Sequence, residues 1–177
     1  MEDFDGQIQA LVGREVGTGE APDPVNQPMI RHWAAAFEDG NPVYVDEAAA
    51  AASRHGAIVA PPLMLQTWTM ATPKITGMAE RGGSPVETDG PGFMAVFEEA
   101  GFTGTLAVNS EFEIDRYLHL GEIVTSSTTI EAVSEQKQTR LGAGHFLTWV
   151  TEYVDQDGEP VGRQRFRILK FRPEGVA

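Results

Sequence analysis

No cysteine occurs among the 177 residues. That excludes a disulfide framework and any thiolate metal site, and it suits a cytoplasmic setting. Positive charge is scarce as well: 13 Lys and Arg stand against 26 Asp and Glu, a formal net charge of −13. Such a balance favours solubility and argues against a phosphate backbone as partner, so no nucleic acid is expected. Also missing is an apolar run of about 18 residues, the length that crosses a membrane. The opening "MEDFDG" lacks the basic start and apolar stretch of a secretory signal. What remains is an ordinary globular composition, 41% hydrophobic and 22% charged. A chain of this length makes one domain, here 1–177, and buries roughly 70% of its unfolded surface.

Residues 1–24 read as a lead-in, with a short first strand in "LVGREVGTGE" and turn chemistry in "APDPVNQP". Asn26 is placed to cap a helix whose first turn tolerates Pro28. Ile30, Trp33, Ala34 and Phe37 recur at helical spacing and are expected to face the core. A second, alanine-rich helix follows in "YVDEAAAAASRHG", stopped by Gly56 as a C′ glycine. In "PPLMLQTWTMATPKI" a helix start fits Pro61 and Pro62. There Leu63, Met64, Leu65, Trp68, Met70 and Ala71 leave little polar face, so a long buried helix is expected. Residues 76–104, rich in Gly and Pro, form an insert too long for a simple connector.

The last third is strand-like: "TLAVNSEFEIDRYLHL", "EIVTSSTTIEAV", "RLGAGHFLTWVTEYVD" and "VGRQRFRILKF", with "DQDGEP" as a hairpin turn. Helices first and long antiparallel strands after predict an α+β fold, a curved sheet wrapped around one buried helix. A single sheet has edges, and pairing edge to edge with another subunit would cover one.

The segment "FEDGNPVYVDE", residues 37–47, gathers Asp39, Asn41, Tyr44 and Asp46 in one loop after a helix. Two readings stand for the carboxylates and the amide: a catalytic constellation, or turn architecture built from side-chain-to-backbone hydrogen bonds. Tyr44 either closes a pocket floor or packs.

"HWAAAFEDGNPVYVDEAAA…GAIVAPP" resembles the MaoC-like family of hot-dog-fold enoyl-CoA hydratases and dehydratases, whose signature is Asp-x-Asn-Pro-x-His-x-Asp. "VNQPMI", "IVAPPLMLQTWTM", "RYLHLGE", "KQTRLGAGHF" and "RILKFRP" bring it closer still to the MaoC-like domain of the larger subunit of actinobacterial cholesterol side-chain enoyl-CoA hydratases. The resemblance implies a hot-dog fold and water addition across the 2,3-double bond of an acyl-CoA thioester. A carboxylate and an imidazole hold that water, and a backbone N–H polarises the carbonyl. The family's Asp falls on Asp39, but its His falls on Tyr44, whose reference pKa of about 10 against about 6.5 makes a poor proton shuttle. Pro61 and Pro62 stand where the family has His-Gly, and neither has an N–H to donate. His55-Gly56 precedes "AIV" instead of following it.

The resemblance therefore implies a degenerate subunit. It builds room for a bulky acyl chain, and a smaller hot-dog partner carries the Asp and His, in a heterodimer or a dimer of heterodimers. No redox cofactor is implied, since coenzyme A comes with the substrate. Rival readings are a self-sufficient homodimer using Asp39, with Tyr44 or His55 as acid, and a non-catalytic acyl-CoA or steroid scaffold. Such larger subunits often continue into a zinc-ribbon and OB-type domain that docks a thiolase-like aldolase. This sequence ends at "RPEGVA", so a stand-alone and a truncated version both stay open.

Tyr44, Pro61, Pro62, Met64, Trp68, Phe93, Phe97 and Phe102 are the candidates for lining an acyl pocket, against an ordinary core role. Arg163, Arg165 and Arg167 alternate on one face of the last strand. They are candidates for the CoA phosphates, since arginine forks fit phosphate, against a solvated or interface face that balances excess acid. Lys137 and Arg140 make a weaker case of the same kind. "GAGH" lies in a strand pattern and reads as a bulge, not a phosphate loop. His32, His119 and His145 lack metal-ligand spacing, and no metal is expected.

Overall fold

A computed structural model describes residues 4–77 and 92–173. Helix α1 spans Phe4–Gln9, and strand β1, Glu15–Glu20, follows it. Asn26 then starts α2, Gln27–Ala36, by accepting a hydrogen bond from the Met29 amide at 3.1 Å. This satisfies one of the donors a helix start leaves orphaned. Ile30 and Ala34 of α2 are buried and Trp33 is half-buried. Phe37 is not a core residue as its spacing suggested: it is 68% exposed and packs tilted against Trp33, ring centres 4.4 Å apart. It sits at the C-cap, where the backbone has left helical geometry and the periodicity no longer applies.

Asp46 caps α3, Glu47–Ala52, with Oδ1 accepting from the Ala48 and Ala49 amides. The helix ends at Ala52, and Ser53 folds its hydroxyl back onto the Ala50 carbonyl. Gly56, at φ +72°, turns the chain later and is not the C′ residue expected.

The long central helix is also not found. Pro62–Met64 form one 3-10 turn and α4 spans only Leu65–Trp68. Beyond it Met70 and Ile75 are 62% and 70% exposed. Thr67 and Thr69 are indifferent helix formers, and Pro73 bars Thr72 from helical geometry. Close packing adds to this, since a Cβ on Gly19 of β1 would lie 3.2 Å from Thr69.

Helix α5, Ala95–Glu99, precedes the long strands β2 Gly104–Ile114, β3 Val124–Val133, β5 Gly142–Asp155 and β6 Pro160–Phe171, with short β4 Lys137–Thr139 between β3 and β5. The antiparallel sheet runs β1-β3-β5-β6-β2, with β4 beside β5. The hairpin read from "DQDGEP" joins β5 to β6, Gly158 supplying φ +80°. The α+β, hot-dog-like arrangement of sheet over helix is present, with a much shorter helix.

Two apolar clusters hold the layers together. One packs Ile30, Tyr44, Met64, Leu65 and Trp68 against Val124, Tyr153 and Val161. The other sets Ile8 and Leu11 with Phe97 and Phe102 against Ile130, Leu147 and Ile168. Between them runs a polar band. The Thr128 and Thr151 hydroxyls meet at 2.9 Å, and Gln164 bonds Gln66 at 2.7 Å and Ser110 at 2.8 Å. A buried amide needs such partners, because an unsatisfied one is costly.

Candidate functional site

The loop after α2 is built by its own polar side chains. Glu38, at φ +53°, takes the left-handed conformation that lets the Asp39 amide reach the Ala34 carbonyl at 2.9 Å. Asp39 Oδ1 accepts from the Asn41 amide at 3.1 Å, and Asn41 Oδ1 from the Val43 amide at 3.3 Å. Asp46 is occupied as the α3 cap. Each of the three thus has a structural duty that an Asx turn or a cap fully explains.

Tyr44 is 5% exposed and packs in the first core cluster, and its carbonyl accepts from Gln27 Nε2 at 2.8 Å. Burial pushes its phenol pKa up, against a hydrogen bond from Asn41 that lowers it; Tyr117 and Asp39 raise it further. The hydroxyl stays protonated at neutral pH and does not act as a base. Pro61 and Pro62 face Ile114, Arg116, Tyr117 and Leu118 across a gap of only about 10 Å³. That is about the least that holds one water. Neither proline has an N–H to offer into that gap.

The remaining candidates divide. Met64 and Trp68 are buried in the first cluster, while Phe97 and Phe102 are fully buried in the second. Phe93 is half-buried, edge-on to Trp149 at 6.1 Å. Within the insert read as 76–104, residues 78–91 lie outside the described residues. Arg163 is engaged by Glu113 at 2.6 Å and Arg165 by Glu131 at 2.8 Å, while Arg167 stacks over Phe146 at 4.5 Å. Among the described residues no group of three or more His, Asp and Glu is arranged to hold a metal ion. No described helix is long and apolar enough to cross a membrane.

Sequence reasoning passed over one concave feature. Arg54 and His55, after α3, come together with Asp115, Arg116, Tyr117 and His119 from the β2–β3 connector around an open depression of about 500 Å³. A bridge between Val59 and His119 and the Ala60–Leu118 hydrogen bond join these two segments. His55 stacks on Tyr117, centroids 4.7 Å apart and planes 22° apart. "RYLHLGE" carries the connector half of this feature, but nothing local in the sequence links it to Arg54.

A family model described as "FAS1-like, dehydratase domain region" matches residues 10–164. The probable enoyl-CoA hydratase alpha subunit of Thermomonospora curvata is 43% identical over 98% of this chain and 53% of its own length. The 3-oxo-4,17-pregnadiene-20-carboxyl-CoA hydratase alpha subunit of Mycobacterium tuberculosis is 43% identical over 88% of this chain and 47% of its own. The chain thus spans about half the length of the curated relatives it matches. A chain in the crystal structure of the ChsH1-ChsH2 complex from Mycobacterium tuberculosis superposes with a TM-score of 0.83 at 38% identity, covering 98% of this chain and 94% of that one.

Proposed function

The chain belongs to the FAS1-like dehydratase-region family, and on that premise we propose that it is the pocket-forming subunit of a heteromeric enoyl-CoA hydratase. Its substrate is the 2,3-unsaturated CoA thioester of a bulky acyl group, most simply a steroid side chain. A smaller hot-dog subunit supplies the catalytic carboxylate and imidazole. Those groups take a proton from water as its oxygen bonds C3 and return a proton to C2, so no redox cofactor is consumed. A thiolase-like aldolase in a larger assembly, and a cytoplasmic setting consistent with the absence of cysteine, belong to the same reading.

The observation that carries it is the disarmed loop. Asp39, Asn41 and Asp46 serve the backbone, Tyr44 is buried with a raised pKa, and Pro61–Pro62 have no N–H to offer. The named activity of the relatives supports the reaction class. A half-buried aromatic group supports the pocket role: Phe93 lies edge-on to Trp149, and Trp149 packs against Phe166 at 5.1 Å. Apolar walls with few convergent polar groups are what a large hydrophobic ligand needs.

The test is co-expression with the smaller hot-dog subunit, then size exclusion and hydration of a steroid enoyl-CoA. Co-elution with activity is expected, kept within about twofold by Asp39→Asn here and reduced at least ~10³-fold when the partner's carboxylate is replaced. Activity of the pure chain that Asp39→Asn abolishes would establish the homodimeric enzyme instead. Ligand binding without activity in any combination would establish a scaffold.

A further inference from the structure

The depression beside the disarmed loop has no role in that reading, yet its chemistry is specific. Of its two guanidiniums, Arg116 is committed, held by Glu122 at 2.7 Å and Asp155 at 2.5 Å. Arg54 is exposed and pairs with no carboxylate among the described residues. Its Nε donates to His55 Nε2 at 3.4 Å, which leaves the imidazole proton on Nδ1, and its guanidinium carbon lies 5.9 Å from the Tyr117 ring centre. Elsewhere in this acidic chain arginines such as Arg163 and Arg165 are answered by carboxylates. Here guanidinium, imidazole and phenol instead form one stacked platform at the rim of a concavity. Burial, then Arg54, then His119 hold the His55 pKa below its ordinary value. At neutral pH His55 is therefore an uncharged flat ring.

A flat aromatic platform beside a guanidinium that no described carboxylate engages is the chemistry that seats a purine and a phosphate. Asp115 on the same rim is the one opposing charge, and it offers an acceptor to an exocyclic amine, which adenine has. The volume, about 500 Å³, lies within the roughly 300–1,000 Å³ range of small-molecule sites.

We propose that this depression seats the adenosine 3′-phosphate end of the CoA thioester, adenine stacking on the His55–Tyr117 pair and Arg54 holding a phosphate. The proposal rests on the reading that the substrate is a CoA thioester. It moves phosphate recognition from the β6 arginines, two of them paired with glutamates, to Arg54.

The test is calorimetric titration of the full chain with adenosine 3′,5′-bisphosphate and with CoA. Both are expected to bind, and inorganic phosphate at equal concentration to fail to displace them. Tyr117→Leu and Arg54→Gln each weaken binding about tenfold, and Tyr117→Phe leaves it intact. Arg54 is exposed, so Arg54→Gln stays decisive if Tyr117→Leu unfolds. No binding at millimolar bisphosphate, or binding unchanged by Arg54→Gln, overturns the site. In the co-expressed complex Arg54→Gln is expected to raise KM about tenfold with kcat unchanged. An active complex with unaltered KM sinks this site and leaves the hydratase reading standing. Arg54-dependent bisphosphate binding by a chain that never forms an active complex keeps the nucleotide site and sinks the hydratase reading.

Discussion

Tyr44 occupies the position on which the loop's chemistry would turn. Its ring fills the first core cluster, so side-chain packing, not proton transfer, is what it contributes. Burial raises a pKa that already starts about 3.5 units above that of histidine, and each unit is worth about 1.4 kcal/mol. Tyr44→Phe is accordingly expected to keep hydration by the proposed complex within about twofold and to cost no more than about 1 kcal/mol. Tyr44→Ala removes the ring and costs about 3–4 kcal/mol. Urea unfolding of the isolated chain measures both costs. A tenfold or greater loss of activity from Tyr44→Phe in a folded complex would return the hydroxyl to the chemistry.

The β5–β6 hairpin is held by Asp155. Its Oδ1 accepts from the Asp157 amide at 2.8 Å and the Glu159 amide at 2.9 Å, and Oδ2 meets Arg116. The Glu159 N–H does most to hold this carboxyl below the usual range, against burial, with help from the Asp157 N–H and Arg116. A carboxylate depressed in the folded state adds stability that is fully present above its unfolded value of about 3.9 and is lost as pH falls through the lower folded value. Wild type is therefore expected to exceed Asp155→Asn in unfolding free energy by a constant margin above about pH 5, shrinking below about pH 4. Denaturant midpoints from pH 7 to pH 2.5 measure that margin, and one that stays flat over the whole range would contradict the assignment.

Elements of this kind were legible because their causes are local. Asn26 and "DQDGEP" fix a cap and a turn within four residues, and the strands alternate in sight; the Asp46 cap is equally local, though it was read only as part of the loop. Where the cause is tertiary, the sequence misled. The apolar pattern runs through Met70 and Ala71, yet the helix stops at Trp68; Pro73 was a local warning, and the packing of Thr69 on Gly19 of β1, which the sequence does not display, completes the stop. Phe97 and Phe102 were candidates for a pocket because they lie in the long insert read as 76–104. Their cover is α1, whose Phe4 stacks on Phe102 at 5.2 Å with Ile8 beside it, in the segment read as a lead-in. Phe4, Ile8 and Leu11 do carry helical spacing, and that was the signal available. In the loop the roles of Asp39 and Asn41 followed from turn chemistry. The Arg54–Tyr117 depression did not, because a bridge between distant segments makes it.

At the scale of the whole molecule, the sheet order leaves β1 and β2 as edges. β1 is six residues long and carries Gly17 and Gly19. β2 is eleven residues long, roughly 35 Å of extended chain. On it Leu106 and Val108 are 47% and 45% exposed. A long edge with exposed apolar residues invites pairing and would aggregate if left bare. Its one irregularity, between Ala107 and Asn109, bends the strand without shortening it. β2 is therefore the edge expected to carry the partner subunit. Leu106→Lys with Val108→Lys buries no charge in the isolated chain, so its melting temperature should move by no more than about 3 °C. In the complex two ammonium groups would be trapped at a pairing edge, and co-elution and hydration should both fall at least about tenfold. Thr18→Lys on β1 is the control and should leave the complex intact. If instead the double variant assembles and Thr18→Lys does not, the short strand is the interface, and the apolar face of β2 must be covered by something other than the proposed partner.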